Sequence, residues 1–198
     1  FDKETGQRVE LDQIEFLAGW RNGRALAYRG IRRAVTHPSY RYDRSEGAER
    51  VRLDLALLEL VQPIRNTQVT PFPTGPLPHR GAEVGVVSYA YDRAEAPSLQ
   101  EVCHVMARQQ GVLVMSCTVD YGSSGAPVFS FSDGTPRIVS VVSAKAEVGG
   151  SRVSLGTDLD EPLALLLADL AHDDSAGAAT RVIVGGNRHN TGAKFIKP

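Results

Sequence analysis

Hydrophobic and polar positions alternate in short runs along most of the chain. Ile14, Phe16, Leu17 and Trp20 give a first strand signal, closed by the turn sequence Gly19-Trp20-Arg21-Asn22-Gly23. Positions 25–36 alternate again and predict a second strand, which His37-Pro38-Ser39-Tyr40 breaks. Positions 41–47 are polar and predict a loop, and the apolar run Leu53 to Leu60 predicts a strand that carries Asp54. Prolines 63, 71, 73, 76 and 78 exclude a helix or a central strand over 63–80 and mark a linker between two lobes. Beyond it, 83–91, 99–106 and 112–117 read as strands, as do the Val128, Phe129 and Phe131 segment, 137–143 and 152–157. Turn signals at Gln109-Gln110-Gly111, Ser132-Asp133-Gly134-Thr135 and Val148-Gly149-Gly150 lie between them. The run 161–171 is the one convincing helix, with Pro162 in its first turn and Asp160 as cap. Residues 172–198 read as a polar, glycine-rich tail. Short strands at this spacing predict an all-β barrel or sandwich, and no internal repeat is evident.

Composition narrows the classes without choosing one. With 198 residues, 42% apolar and 23% charged, the chain can bury a sizeable core. A formal net charge of −1 gives no reason to expect nucleic acid as a partner. The longest apolar runs, near Leu163 to Leu167, are too short to span a bilayer. The two cysteines, Cys103 and Cys117, lack Cys-x-x-Cys metal spacing, and the strand-turn-strand pattern between them allows either a disulfide or two buried thiols. No metal and no cofactor are expected.

Two stretches carry candidate chemistry. Gly122-Ser123-Ser124-Gly125-Ala126-Pro127 sets a hydroxyl between glycines and ends in a proline. Glycine on both sides permits a sharp turn and the close approach of a substrate carbonyl. Successive N–H groups in such a turn can converge on one oxyanion, and the proline stops the turn from becoming a helix. The competing reading is a plain Ser/Gly hairpin loop. In Leu53-Asp54-Leu55-Ala56-Leu57-Leu58-Glu59-Leu60, one carboxylate heads an apolar run. A buried carboxylate needs a partner, and orienting a histidine N–H beside a serine is one such role; a strand-edge or capping residue is the other reading.

Together these stretches resemble the chymotrypsin/trypsin family of serine proteases, over about residues 16–170. Asp54, the His37-Pro38-Ser39-Tyr40 turn and the Ser124 loop carry the likeness, which is nearest to the bacterial trypsin-like and glutamyl-endopeptidase-like branch. The resemblance implies two six-stranded antiparallel barrels, the first N-terminally incomplete, and a C-terminal helix. That divides a single domain into 1–62, the linker 63–80, a second barrel at 81–160, the helix at 161–171 and the tail. It implies Ser124 as nucleophile and Asp54 as the residue that orients the base. The N–H groups of Gly122 and Ser124 would form the oxyanion hole. It places Thr118 at the base of the side-chain pocket and Ser143 on a strand that pairs with substrate backbone. It also implies a Cys103–Cys117 disulfide and thus a secreted or periplasmic, bacterial protein. The expected partner is a polypeptide substrate and the expected state is a monomer. Ser123 stands where activated animal enzymes carry an aspartate, so activation by a freshly cut amino terminus is not expected. Lys145 and Arg152 either favour an acidic substrate side chain or are solvated surface charges.

The family's base is a histidine preceding the aspartate. Only His37 does so here, and it belongs to the structural turn; His79, His104, His172 and His189 all follow Asp54. Family spacing puts the base upstream of Phe1, so residues 1–198 alone are expected to hydrolyse poorly. A non-catalytic relative that binds peptides is the main alternative. An α/β-hydrolase esterase needs the acid after the serine and a glycine where Ala126 stands.

Overall fold

The computed structural model describes residues 1–2, 5–42 and 47–183. Its centre is one closed antiparallel barrel of six strands. The strands are β4 (Glu83–Ser88), β5 (Ser98–Gln109), β6 (Val112–Met115), β7 (Pro127–Ser130), β8 (Arg137–Val148) and β9 (Ser151–Asp158), in the order β4-β5-β6-β9-β8-β7. Inward positions of these strands bury Val84, Val86, Val105, Leu113, Met115, Val128, Val139 and Val142 as one core. Branched and aliphatic side chains at period two are what a closed barrel's interior requires.

The turn chemistry explains why the strands close. Gln110 and Gly111 both take positive φ, 51° and 77°, between β5 and β6. Gly149 and Gly150 do the same between β8 and β9, at 58° and 79°. Two residues of this kind make the hairpin turn whose twist matches the strands.

The N-terminal part is where an incomplete first barrel was expected. Among the described residues it is a three-stranded antiparallel sheet, β1 (Glu15–Ala18), β2 (Ala27–Thr36) and β3 (Ala56–Leu60), in that order, and not a second closed barrel. A short helix, α1 (Ala48–Leu53), precedes β3. Asp54 therefore lies off the strand on which the sequence placed it. It caps α1, with its N–H bonded to the Val51 carbonyl at 3.2 Å. Six residues are too few to show helical periodicity, and Leu53 reads equally as the start of the following strand.

The second helix, α2 (Asp160–Ile183), runs past the expected end at 171 into the stretch read as a tail. Pro162 is in its first turn, but the cap is Asp158, whose Oδ1 accepts the Asp160 N–H at 3.1 Å. The helix lies against β2 and β3, and Arg33 Nη2 donates to the Leu170 carbonyl at 2.7 Å. The remaining tail, 184–198, and residues 43–46 of the polar loop lie outside the described residues. The proline-rich stretch forms no strand of its own and meets the barrel through a parallel bridge from Thr74 to Ile138, the Phe72 ring against Phe129 and Leu77 against the core. Likewise the run read as 83–91 ends as a strand at Ser88, and Tyr91–Arg93 form a 3-10 turn.

Side chains lock sheet and barrel together. Thr157 on β9, fully buried, donates its hydroxyl to the Val51 carbonyl at 2.7 Å, with the Asp54 carbonyl 3.3 Å away. On the far side Trp20 Nε1 donates to Ala94 O at 3.1 Å, and the Tyr89 hydroxyl donates to Trp20 O at 2.7 Å. These bonds fix the carboxylate of Asp54 relative to the barrel.

Candidate active site

A cleft of about 910 Å³ opens between the two parts. Asp54, Tyr40 and Arg50 line it from the N-terminal side. Gly122, Ser123 and Ser124 line it from the barrel, with Ser143 and Lys145 of β8 beside them. Residues 70 positions apart in sequence thus face one space, because α1 delivers the first group and the β6–β7 connection the second.

The Ser124 loop is built from successive tight turns. Ser123 N–H bonds to Asp120 O at 3.1 Å, Ala126 N–H to Ser123 O at 3.0 Å, and Gly125 N–H to Val142 O at 2.7 Å. Gly122 has φ +91°, and a Cβ there would sit 2.9 Å from the backbone N of Tyr91, so only glycine fits. Among the described residues the N–H groups of Gly122 and Ser124 make no hydrogen bond. Two unspent donors flanking a hydroxyl are what an oxyanion site needs. Ser124 itself is exposed toward the cleft, whereas Ser123 is buried.

Ser123 is chemically odd. Its residue is only 1% exposed, and its Oγ has no hydrogen-bond partner. An unpaired buried hydroxyl stabilises nothing, so Ser123→Ala is expected to change stability by less than about 1 kcal/mol. Ser123→Asp is expected to cost about 3 kcal/mol or more, because it buries a charge with no partner. Urea unfolding measures both; a loss above about 2 kcal/mol for the alanine variant would show that the hydroxyl has a partner after all.

Asp54 is half-buried, and its Oδ2 accepts the Ser143 hydroxyl at 2.6 Å. Ser143 sits at a bulge in β8, where the register with β9 shifts between Val142 and Ala144, and such a bulge re-aims a side chain. Its side chain is therefore spent on the carboxylate, which the sequence did not anticipate. Tyr40 adds a second contact. Burial, then the charge of Asp54 and a hydrogen bond to it, raise the phenol's pKa above its ordinary 10. At neutral pH Tyr40 is thus an uncharged donor toward Asp54 and not a base.

Other expected positions fall elsewhere. Thr118 is exposed and does not line the cleft, which Val119 and Asp120 do instead. No described histidine lines it. His37 holds its own turn, its Nδ1 accepting Ser39 N–H at 3.2 Å. His79 Nδ1 lies 2.8 Å from Arg80 O, His104 Nε2 lies 3.9 Å from Glu83, and His172 is on α2. His189 lies outside the described residues. Cys103 and Cys117 form a disulfide with Cα atoms 5.0 Å apart, both buried, at the root of the Ser124 loop. Arg50 and Tyr121 line the cleft without having been singled out from sequence, since a lone arginine in a polar loop-helix stretch and a tyrosine before a glycine carry no periodic signal.

No family model matches the chain, and no curated protein matches it in sequence. Solved structures do match its fold. Kallikrein-related peptidase 10 superposes with a TM-score of 0.55 over 75% of this chain and 75% of that one, at 13% identity. The chain has a chymotrypsin/trypsin-like fold. At that identity the likeness is one of architecture, and the chemistry must be argued from the cleft.

Proposed function

We propose that these residues are the body of a serine endopeptidase that hydrolyses peptide bonds through an acyl-enzyme. The observation that carries the reading is one cleft shared by the exposed Ser124 hydroxyl, the unspent N–H groups of Gly122 and Ser124, and a carboxylate held by Ser143. Ser124 attacks the scissile carbonyl, and the tetrahedral oxygen takes the two N–H bonds. Asp54 orients a histidine that removes the serine proton and later returns it to the leaving amine. No described histidine lines the cleft, so the base in this reading lies outside the described residues. The fold's likeness to a peptidase supports a polypeptide as substrate. The buried disulfide supports a secreted or periplasmic setting, where such bonds persist.

A second reading has its own observation. Because no described histidine faces the cleft, residues 1–198 by themselves suit a peptide-binding module. A serine-directed fluorophosphonate separates the two, applied to a polypeptide that joins a histidine motif ahead of Phe1. Stoichiometric labelling at Ser124 supports the hydrolase. The absence of labelling, or labelling elsewhere, overturns it.

A further inference from the structure

We infer that the peptide-binding surface continues past the cleft onto Tyr91 and Tyr121, which together grip an aromatic side chain of the polypeptide bound at Ser124. The inference rests on the peptide-cleft reading above and adds a substrate preference. Tyr91 is 89% exposed and Tyr121 75%, the two most exposed large apolar side chains among the described residues. Single exposed apolar side chains are ordinary on a protein surface. These two are joined: the Tyr91 N–H donates to the Tyr121 carbonyl at 2.9 Å. The join lies against Gly122, where a Cβ would stand 2.9 Å from the Tyr91 nitrogen and 3.4 Å from the Tyr89 carbonyl oxygen. Tyr121 lines the cleft and Tyr91 lies just outside it. The pair is therefore built onto the Ser124 turn itself, next to the unspent Gly122 N–H.

The backbone that carries Tyr91 is pinned elsewhere as well. Besides the two bonds that Trp20 makes with Tyr89 and Ala94, the Asn22 N–H donates to Glu95 O at 2.6 Å, and Arg93 Nε donates to Ser98 Oγ at 2.6 Å. A tyrosine projecting into solvent from a fixed backbone has two side-chain torsions to lose on binding, so little ordering cost offsets its contact area. Among the described residues neither ring is stacked on another ring. Nearby charges decide what the pair takes. Lys145 rests its ammonium 3.5 Å from the centre of the Tyr121 ring. Burial raises the pKa of the Tyr89 phenol and the charge of Arg21 opposes it, so a second cation stands near the same segment. Two cations beside the tyrosines disfavour a third, and an uncharged ring is the guest that fits.

The test measures binding, not turnover, by calorimetry on residues 1–198. The probes are acetylated hexa-alanine amides in which one phenylalanine is moved along the peptide, each with a cyclohexylalanine counterpart of similar apolar area. At one position phenylalanine is expected to bind about three- to tenfold more tightly than cyclohexylalanine, the scale of an aromatic pair beyond its buried area. The preference is expected to fall to about twofold or less in Tyr91→Ala and in Tyr121→Ala, and to persist in Tyr91→Phe. Amide shifts on binding the preferred peptide are expected to concentrate at 89–93 and 120–122. Equal binding at every position, no measurable binding, or a preference that survives Tyr91→Ala overturns the inference. An aromatic preference without fluorophosphonate labelling at Ser124 would sink the hydrolase and leave the aromatic site standing; labelling without the preference would do the reverse.

Discussion

Replacing Ser124 by alanine in the histidine-bearing polypeptide is expected to lower peptide hydrolysis by about 10⁶-fold, the loss seen when a serine-protease nucleophile is removed. The side chain is exposed in the cleft, so the same substitution is expected to leave the unfolding free energy within about 0.5 kcal/mol. That split between rate and stability distinguishes a nucleophile from a loop residue. Asp54→Asn is expected to cost about 10⁴-fold, the value for the family's type case, because an amide favours the wrong histidine tautomer. The two losses should not add, since the groups act as a unit. Asp54 also accepts the Ser143 hydroxyl, so its replacement disturbs the β8 bulge as well. Steady-state rates on a peptide substrate decide the matter: a Ser124→Ala enzyme that keeps even a hundredth of the rate is not using this hydroxyl.

How far the sequence carried the site depends on the distance over which each signal acts. The Ser124 loop was legible because its constraint is local. Glycine at 122 answers to a positive φ and a backbone atom 2.9 Å from where a Cβ would stand. The barrel strands were legible for the same reason, since period two and the Gly-containing turns act within ten residues. Asp54 was found, but on the wrong element. Its surroundings are set by Thr157 and Ser143, 103 and 89 positions away in sequence. No local pattern reports a hydroxyl that reaches across two lobes. The contact of the Ser143 side chain was not legible because a β-bulge, invisible in the pattern, turns it toward the carboxylate. The incomplete first barrel was implied by resemblance alone, and among the described residues β1–β3 form an open sheet with α2 against β2 and β3.

Removing the disulfide is expected to cost the fold about 3 kcal/mol. Cys103 on β5 and Cys117 just after β6 are 14 positions apart, and closing a loop of about 15 residues lowers the entropy of the unfolded chain by that amount. For a protein of this size the loss corresponds to a fall in melting temperature of about 6–12 °C. The paired substitution Cys103→Ala with Cys117→Ala is the cleaner form, because serines would add two buried hydroxyls without partners. The effect should reach the cleft as well. The ladder between β5 and β6 ends at Val105 and Met115, after which the bonds from Ser116 N–H to His104 O at 3.0 Å and from His104 N–H to Ser116 Oγ at 2.9 Å carry the pairing on. The disulfide is the last tie before the chain turns into 118–124. Without it the pairing frays from that end, and amide exchange at Gly122 to Gly125 should rise more than at Val112 to Met115. Thermal unfolding and hydrogen exchange of the alanine pair measure the two effects. A variant within about 1 kcal/mol of the parent, with unchanged exchange in the loop, would mean that the barrel core and not the crosslink holds the Ser124 turn in place.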